Sequence, residues 1–134
     1  MVDVGDKAVV RRVAKAEGTV HCRAATIGRL RERALPKGDV LATARIAAIQ
    51  AAKRTAELIP LCHSLPLNVV EVNFVVEESA IHVQVEVSTN ARTGVEMEAL
   101  TATMVAALTI YDMCKAVDKE MVISDVRVTE KRKG

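Results

Sequence analysis

Aromatic side chains are almost missing from this chain: Phe74 and Tyr111 make up 1% of its 134 residues, and there is no tryptophan. Binding by stacking successive bases on aromatic rings is therefore closed to it, and nucleic acid is not an expected partner. A strong excess of one charge is also lacking. The net charge is +2, and the basic residues are spread along the chain except for Lys131-Arg132-Lys133. That still leaves cations for a small phosphorylated molecule. Hydrophobic residues reach 50%, yet no stretch approaches the ~20 apolar residues of a membrane span. The opening Met1-Val2-Asp3-Val4-Gly5 has no basic segment leading into an apolar one, unlike a signal peptide. A cytoplasmic chain with no membrane partner is the expectation. Cys22, Cys62 and Cys114 form no CxxC pair, and their odd number favours free thiols over a disulfide framework. Internal repeats, linkers and low-complexity tracts are absent, so residues 1–134 are expected to form one domain with a real core. Residues 1–7 and 129–134 are the segments expected to be flexible.

Periodicity supplies the elements. Ala8–Val13 and Thr19–Ala24, separated by Glu17-Gly18, read as a hairpin. Thr26–Leu35 carries Ile27, Leu30 and Leu35 at helical spacing and ends before Pro36. Asp39 is a good N-cap for an alanine-rich helix over Val40–Leu58, which Pro60 ends. Lys53 and Arg54 lie towards its C-terminal end, where the helix dipole favours cations. Val69–Glu77 and Ile81–Thr89 are β-branched runs. In the second, Ile81, Val83, Val85 and Val87 alternate with His82, Gln84 and Glu86, the pattern of a half-exposed antiparallel strand. Met97–Val117 reads as a second long helix and Val122–Val128 as a last strand. From Val20 onward the order is β-α-β-β-α-β. That order predicts an α+β, ferredoxin-like split βαβ sandwich, a four-stranded antiparallel sheet with helices on one face. An extra N-terminal strand and a short helix would be added to it.

Four places carry charge or hydrogen-bonding groups that a plain core does not need. The run "IPLCHSLPL" (59–67) holds two of the three prolines with Cys62 and His63. It reads as a stiffened loop presenting His63, since adjacent Cys62 and His63 have no partner at zinc-ligand spacing. A histidine in a turn is more often structural, but it is also a natural proton carrier. Asp112 and Lys115 share a helix face amid Ile110, Met113, Cys114, Ala116 and Val117. They read either as an i,i+3 ion pair near a helix end or as a partly buried pair with shifted pKa values, suited to proton transfer. "TGVEMEAL" opens the same helix. Thr93 and Glu96 fit a capping box, and Glu98 is then unexplained. Glu96 and Glu98 converge only if the helix starts later than that box implies. Lys37, between Pro36 and Gly38, is either a solvated loop lysine or the ammonium of a mobile lid. Glu98 and Asp112 are fourteen residues apart, roughly 21 Å along a helix. One small ligand touches both only if a second copy completes the pocket, so a homo-oligomer with a shared site is expected.

The blocks "MVDVGDK", "RIAAIQAAKRT", "IPLCHSLPL", "TGVEMEALTA" and "ALTIYDMCKAVDK" together resemble the cyclic pyranopterin monophosphate synthase family, molybdenum cofactor biosynthesis protein C, from Met1 to about Val128. The resemblance implies a ferredoxin-like subunit in a hexamer, a trimer of dimers with pockets at subunit contacts. It implies a phosphorus–oxygen lyase reaction. 3′,8-Cyclo-7,8-dihydro-GTP, made from GTP by a radical enzyme, becomes cyclic pyranopterin monophosphate with release of pyrophosphate. By the same resemblance Asp112 is the catalytic aspartate, Lys115 its proton-transfer partner and Lys37 the loop lysine. Leu61, Cys62 and His63 line the substrate, with His63 the chemically active member. Glu96, Met97 and Glu98 contact the pterin-forming part, and Arg23 and Lys53 the triphosphate. No resident cofactor or metal is implied, and whether a divalent cation travels with the triphosphate stays open. Many members carry proline where Ser64 stands, so this loop is expected to be less stiff. The residues alone leave a rival open: a non-catalytic, nucleotide-binding ferredoxin-like module.

Overall fold

The computed structural model describes all residues, 1–134. Strand β1 (Val10–His21) is followed by helix α1 (Ala24–Arg31), helix α2 (Val40–Lys53), a single turn α3 (Thr55–Leu58), strands β2 (Leu67–Val76) and β3 (Ala80–Ala91), helix α4 (Glu96–Cys114) and strand β4 (Val122–Lys133). The strands form one sheet in the order β2-β3-β1-β4, with every neighbouring pair antiparallel. Helices α2 and α4 lie together on one face of it. This is the expected α+β arrangement, consistent with the ferredoxin-like fold.

The alternation in β3 sets the inner face: Ile81, Val83, Val85 and Val87 are all buried. Against them α2 and α4 present mostly alanine. Ala44, Ala48 and Ala52 of the first meet the layer formed by Ala99, Ala102, Ala106 and Ala107 of the second, all at or near zero exposure. Small side chains let two helix backbones approach closely, and a core of that density resists displacement of either helix. Asp39 caps α2 as expected, its Oδ1 accepting from the Ala42 N–H at 3.2 Å.

Several boundaries differ from the sequence expectation. The expected hairpin at Glu17-Gly18 is instead continuous strand, so there is no separate N-terminal strand. Gly18 sits at a bulge, where the register with β4 shifts between Glu17 and Thr19. A Cβ there would meet the Thr103 and Val126 methyls at 3.1 Å, so this glycine serves a close approach between helix and strand and not a turn. The helix expected over Val40–Leu58 breaks at Arg54 into α2 and α3. The tail expected to be loose is paired strand to Lys133. The capping box at Thr93 does not form: the N-cap of α4 is Val95, with no side-chain cap.

Candidate active site

The later start of α4 has a direct consequence for its acids. Glu96 and Glu98 fall in the first helical turn, with the dipole favouring negative charge there. Both line one cavity of about 350 Å³, together with Leu61, Cys62, His63 and Met97. The proline loop reaches this place because its two ends are tied. The Ile59 N–H donates to the Thr55 carbonyl at 2.8 Å and the Cys62 N–H to the Ile59 carbonyl at 3.1 Å. At the far end the Thr89 hydroxyl of β3 donates to the Pro66 carbonyl. His63 and Cys62 are held half-buried between these ties.

The electrostatics inside the cavity differ from group to group. Glu98 is buried. That burial pushes its carboxyl above the usual carboxylate range, a backbone N–H of its own pulls it partly back, and the negative charge of Glu96 adds to the rise. Glu98 therefore holds a proton more readily than an ordinary glutamate, a property that suits proton transfer. Burial, and then Glu98, also push the Cys62 thiol up. Cys62 is thus a neutral contact and not a thiolate nucleophile.

The second expected group stands at the other end of α4. Asp112 Oδ2 accepts from Lys37 Nζ at 2.8 Å, and its Oδ1 lies 2.9 Å from Lys115 Nζ. The expectation of a partly buried pair is not met. The three side chains are 47%, 51% and 55% exposed. The greasy neighbours Ile110, Met113 and Cys114 point into the core, while Asp112 and Lys115 lie on the outward stripe of the helix. The pKa shifts accordingly come from pairing and not desolvation. Hydrogen bonds from Lys37 and then Lys115 hold Asp112 down at about 2, and the same contact raises Lys115. The lysine expected on a mobile lid is thus latched onto Asp112 in this conformation.

The structure does not bring the remaining two candidates to either group as free cations. Arg23 is engaged elsewhere: its guanidinium donates to the Val117 carbonyl, with its Nε 3.6 Å from Asp118. Lys53 is exposed at the end of α2 and makes no ion pair. Several residues not anticipated from the sequence border the cavity. Val2, Val4 and Lys7 form one wall, in a turn closed by the Lys7 N–H to the Val4 carbonyl at 3.1 Å and pinned by Arg92 Nε to the Lys7 carbonyl at 3.2 Å. Glu96 also lines a neighbouring cavity with Arg12, Lys131 and Lys133. The one available signal was the basic run at 131–133, which reads as a solvated tail until β4 is seen to pair beside β1.

Fold and site together define an α+β domain with a helix-start pocket of acids, thiol and imidazole, and a separate lysine–aspartate clamp. All of residues 1–134 match the MoaC family. The chain is also 57% identical, over 136 aligned positions covering the whole of it and 86% of the relative, to a protein of Oleidesulfovibrio alaskensis named cyclic pyranopterin monophosphate synthase. The chain belongs to the MoaC family.

Proposed function

We propose that this chain acts in molybdenum cofactor biosynthesis and catalyses the reaction for which its Oleidesulfovibrio relative is named. In that reaction 3′,8-cyclo-7,8-dihydro-GTP is rearranged to cyclic pyranopterin monophosphate with loss of pyrophosphate, a lyase reaction of the phosphorus–oxygen class. The observation that carries the reading is the cavity at the start of α4, where Leu61, Cys62, His63, Glu96, Met97 and Glu98 meet. A ring-opening and reclosing sequence needs several proton transfers around one small molecule. A raised carboxyl and an imidazole in one pocket suit that work.

In the proposed mechanism Glu98 and His63 exchange protons with the pterin-forming part, while Glu96 fixes its orientation. Asp112, ionised at neutral pH, serves as a proton acceptor only after one of its lysines leaves it. Lys37, on the loop, is the one that can leave and carry charge to the phosphates, and Lys115 then returns the proton. Cations over the pyrophosphate stabilise the leaving group. Lys53, free of ion pairs, suits that task better than Arg23, whose guanidinium is already committed. No resident cofactor is needed for any of these steps.

The pocket and the clamp lie roughly 21 Å apart along α4, so we place them on one substrate through a second copy of the chain, in a cytoplasmic homo-oligomer. A hexamer built as a trimer of dimers fits this sharing, with a radical enzyme upstream to supply the substrate. Incubation of the pure protein with 3′,8-cyclo-7,8-dihydro-GTP should release pyrophosphate. Asp112→Asn should lower turnover about 10²- to 10⁴-fold, the usual contribution of a positioned proton-transfer group, and still bind the substrate. A nucleotide-binding module with no chemistry would release no pyrophosphate in either form and would lose only affinity.

A further inference from the structure

Asp118 is a charged residue with no exposure at all, and nothing in the proposed chemistry uses it. A carboxylate taken out of water is costly unless every lone pair finds a donor. Here they do. Oδ2 accepts from the Arg23 N–H at 2.9 Å and from the Thr26 hydroxyl at 2.8 Å. Oδ1 accepts from the Glu120 N–H at 3.0 Å and lies 3.6 Å from Arg23 Nε. Burial pushes this carboxyl up, but the backbone of Arg23 and Glu120, the Thr26 hydroxyl and the Arg23 charge outweigh it, so it stays ionised well within the folded state.

The partners are informative because α1 lacks a cap of its own. Its N-cap residue, Arg23, makes no side-chain capping bond, and no acid lies in its first turn. Asp118 supplies both the acceptor and the negative charge from the far end of the chain. Two paths lead from this one carboxylate to Asp112. The first is short. Asp118 follows the end of α4, its N–H donating to the Cys114 carbonyl at 3.1 Å, and Lys115 stands in that same turn. The second runs through α1. Arg29 at its end donates through Nε and a terminal nitrogen to the Ala34 carbonyl at 3.1 and 2.9 Å. Leu35 is buried, and the Gly38 N–H closes on the Leu35 carbonyl at 3.2 Å. That turn presents Lys37. Both lysines that clamp Asp112 therefore hang from the same buried anchor.

We propose that Asp118 is a positioning residue: by capping α1 across the chain it fixes the Lys37 loop and the Lys115 turn relative to each other, and so sets the geometry of the clamp on Asp112. An anchor that serves only stability would cost melting temperature when lost and leave the clamp unchanged. A positioning anchor changes the clamp itself.

The test is Asp118→Asn, which keeps the shape but replaces one acceptor oxygen by a donor. The Asp112 carboxyl is titrated by carbon NMR in the parent and the variant. With Lys37 and Lys115 no longer held in register, the Asp112 midpoint should rise from about 2 towards its ordinary 3.8. Turnover should fall about tenfold to a hundredfold, with KM changed far less. Should Asp118→Asn not fold, Thr26→Val removes a single donor to Asp118 and is read by the same titration, with a smaller rise expected. An Asp112 midpoint that does not move in the folded variant overturns the proposal, whatever happens to the melting temperature. The turnover result rests on the proposed reaction, whereas the titration does not, so the two readings fail separately.

Discussion

Replacing Gly94 by alanine should separate the pocket from the fold. Gly94 immediately precedes Val95, the N-cap of α4, and its φ is not in the left-handed region, so alanine meets no backbone strain there. A Cβ at this position would stand inside contact distance of both carboxylate oxygens of Glu96. Those atoms are the far end of a flexible side chain, and they can swing away. The stability terms are small and opposed. Removing a glycine from the unfolded ensemble stabilises by about 0.4–1 kcal/mol. The displaced Glu96 gives up its contact with Lys131 at 3.5 Å, an exposed ion pair of about 0–1 kcal/mol. The two nearly cancel, so the melting temperature should stay within about 4 °C of the parent. The effect on the site should be much larger. If the Glu96 carboxylate orients the substrate, losing one charged hydrogen bond of about 1.5–3 kcal/mol lowers kcat/KM roughly 10- to 150-fold. Pyrophosphate release measured against substrate concentration, together with a thermal melt, reads both. A variant with parental kcat/KM would show that Glu96 is not used. A variant that melts far below the parent would show that the carboxylate cannot move aside.

Glu98→Gln should do the reverse of most active-site losses. The folded pKa of Glu98 lies above its ordinary value, so ionising it at neutral pH opposes folding, and that penalty fades as the pH falls below its folded value. Glutamine removes the charge. The variant should melt higher than the parent at pH 7, lose that advantage in acid, and turn over substrate about 10²-fold or more slowly. An unchanged melting temperature at pH 7 would contradict the burial of a charged Glu98. If the pocket of one copy works with the clamp of another, mixing inactive His63→Ala and Asp112→Asn chains should restore activity. At equal amounts about a quarter of the sites carry both intact residues. No recovery after subunit exchange would place the complete site within one chain.

What the sequence made legible is what nearest neighbours decide. The alternation of Ile81, Val83, Val85 and Val87 foretold the sheet's inner face, and Asp39 foretold the start of α2. Gly18 misled because a turn glycine and a bulge glycine look alike locally. The deciding contacts are Thr103 and Val126, methyl groups distant in the chain. Thr93 misled in a similar way: a capping box is a local pattern, but α4 begins where Glu96 can face the loop carrying His63. The six residues that the family resemblance groups, Leu61, Cys62, His63, Glu96, Met97 and Glu98, line one cavity. The exposure of Asp112 and Lys115 was not anticipated, because the greasy residues between them belong to the opposite side of the same helix. Asp118 could not be recognised at all, since its donors on Arg23 and Thr26 lie 95 and 92 residues away.

The layout of α4 gives a reason for a shared site beyond distance alone. The helix carries acids at its start and the clamp at its end. Between them Met97, Met104 and Leu108 are 37%, 51% and 60% exposed on the stripe that leads to Asp112 and Lys115. On α2, Ile46 is 57% exposed. Apolar side chains repeating at this spacing on an outward face gain free energy when another surface covers them, at about 25 cal/mol per Å² removed from water. A second copy laid on this stripe would take Asp112, Lys37 and Lys115 out of bulk solvent. Their ion pairs would then strengthen, and a lysine withdrawn towards a phosphate would leave an aspartate with a far stronger demand for a proton. The low pKa of Asp112 in the isolated chain is therefore compatible with base chemistry. In the proposed oligomer, a partner and a substrate would displace the water around the clamp.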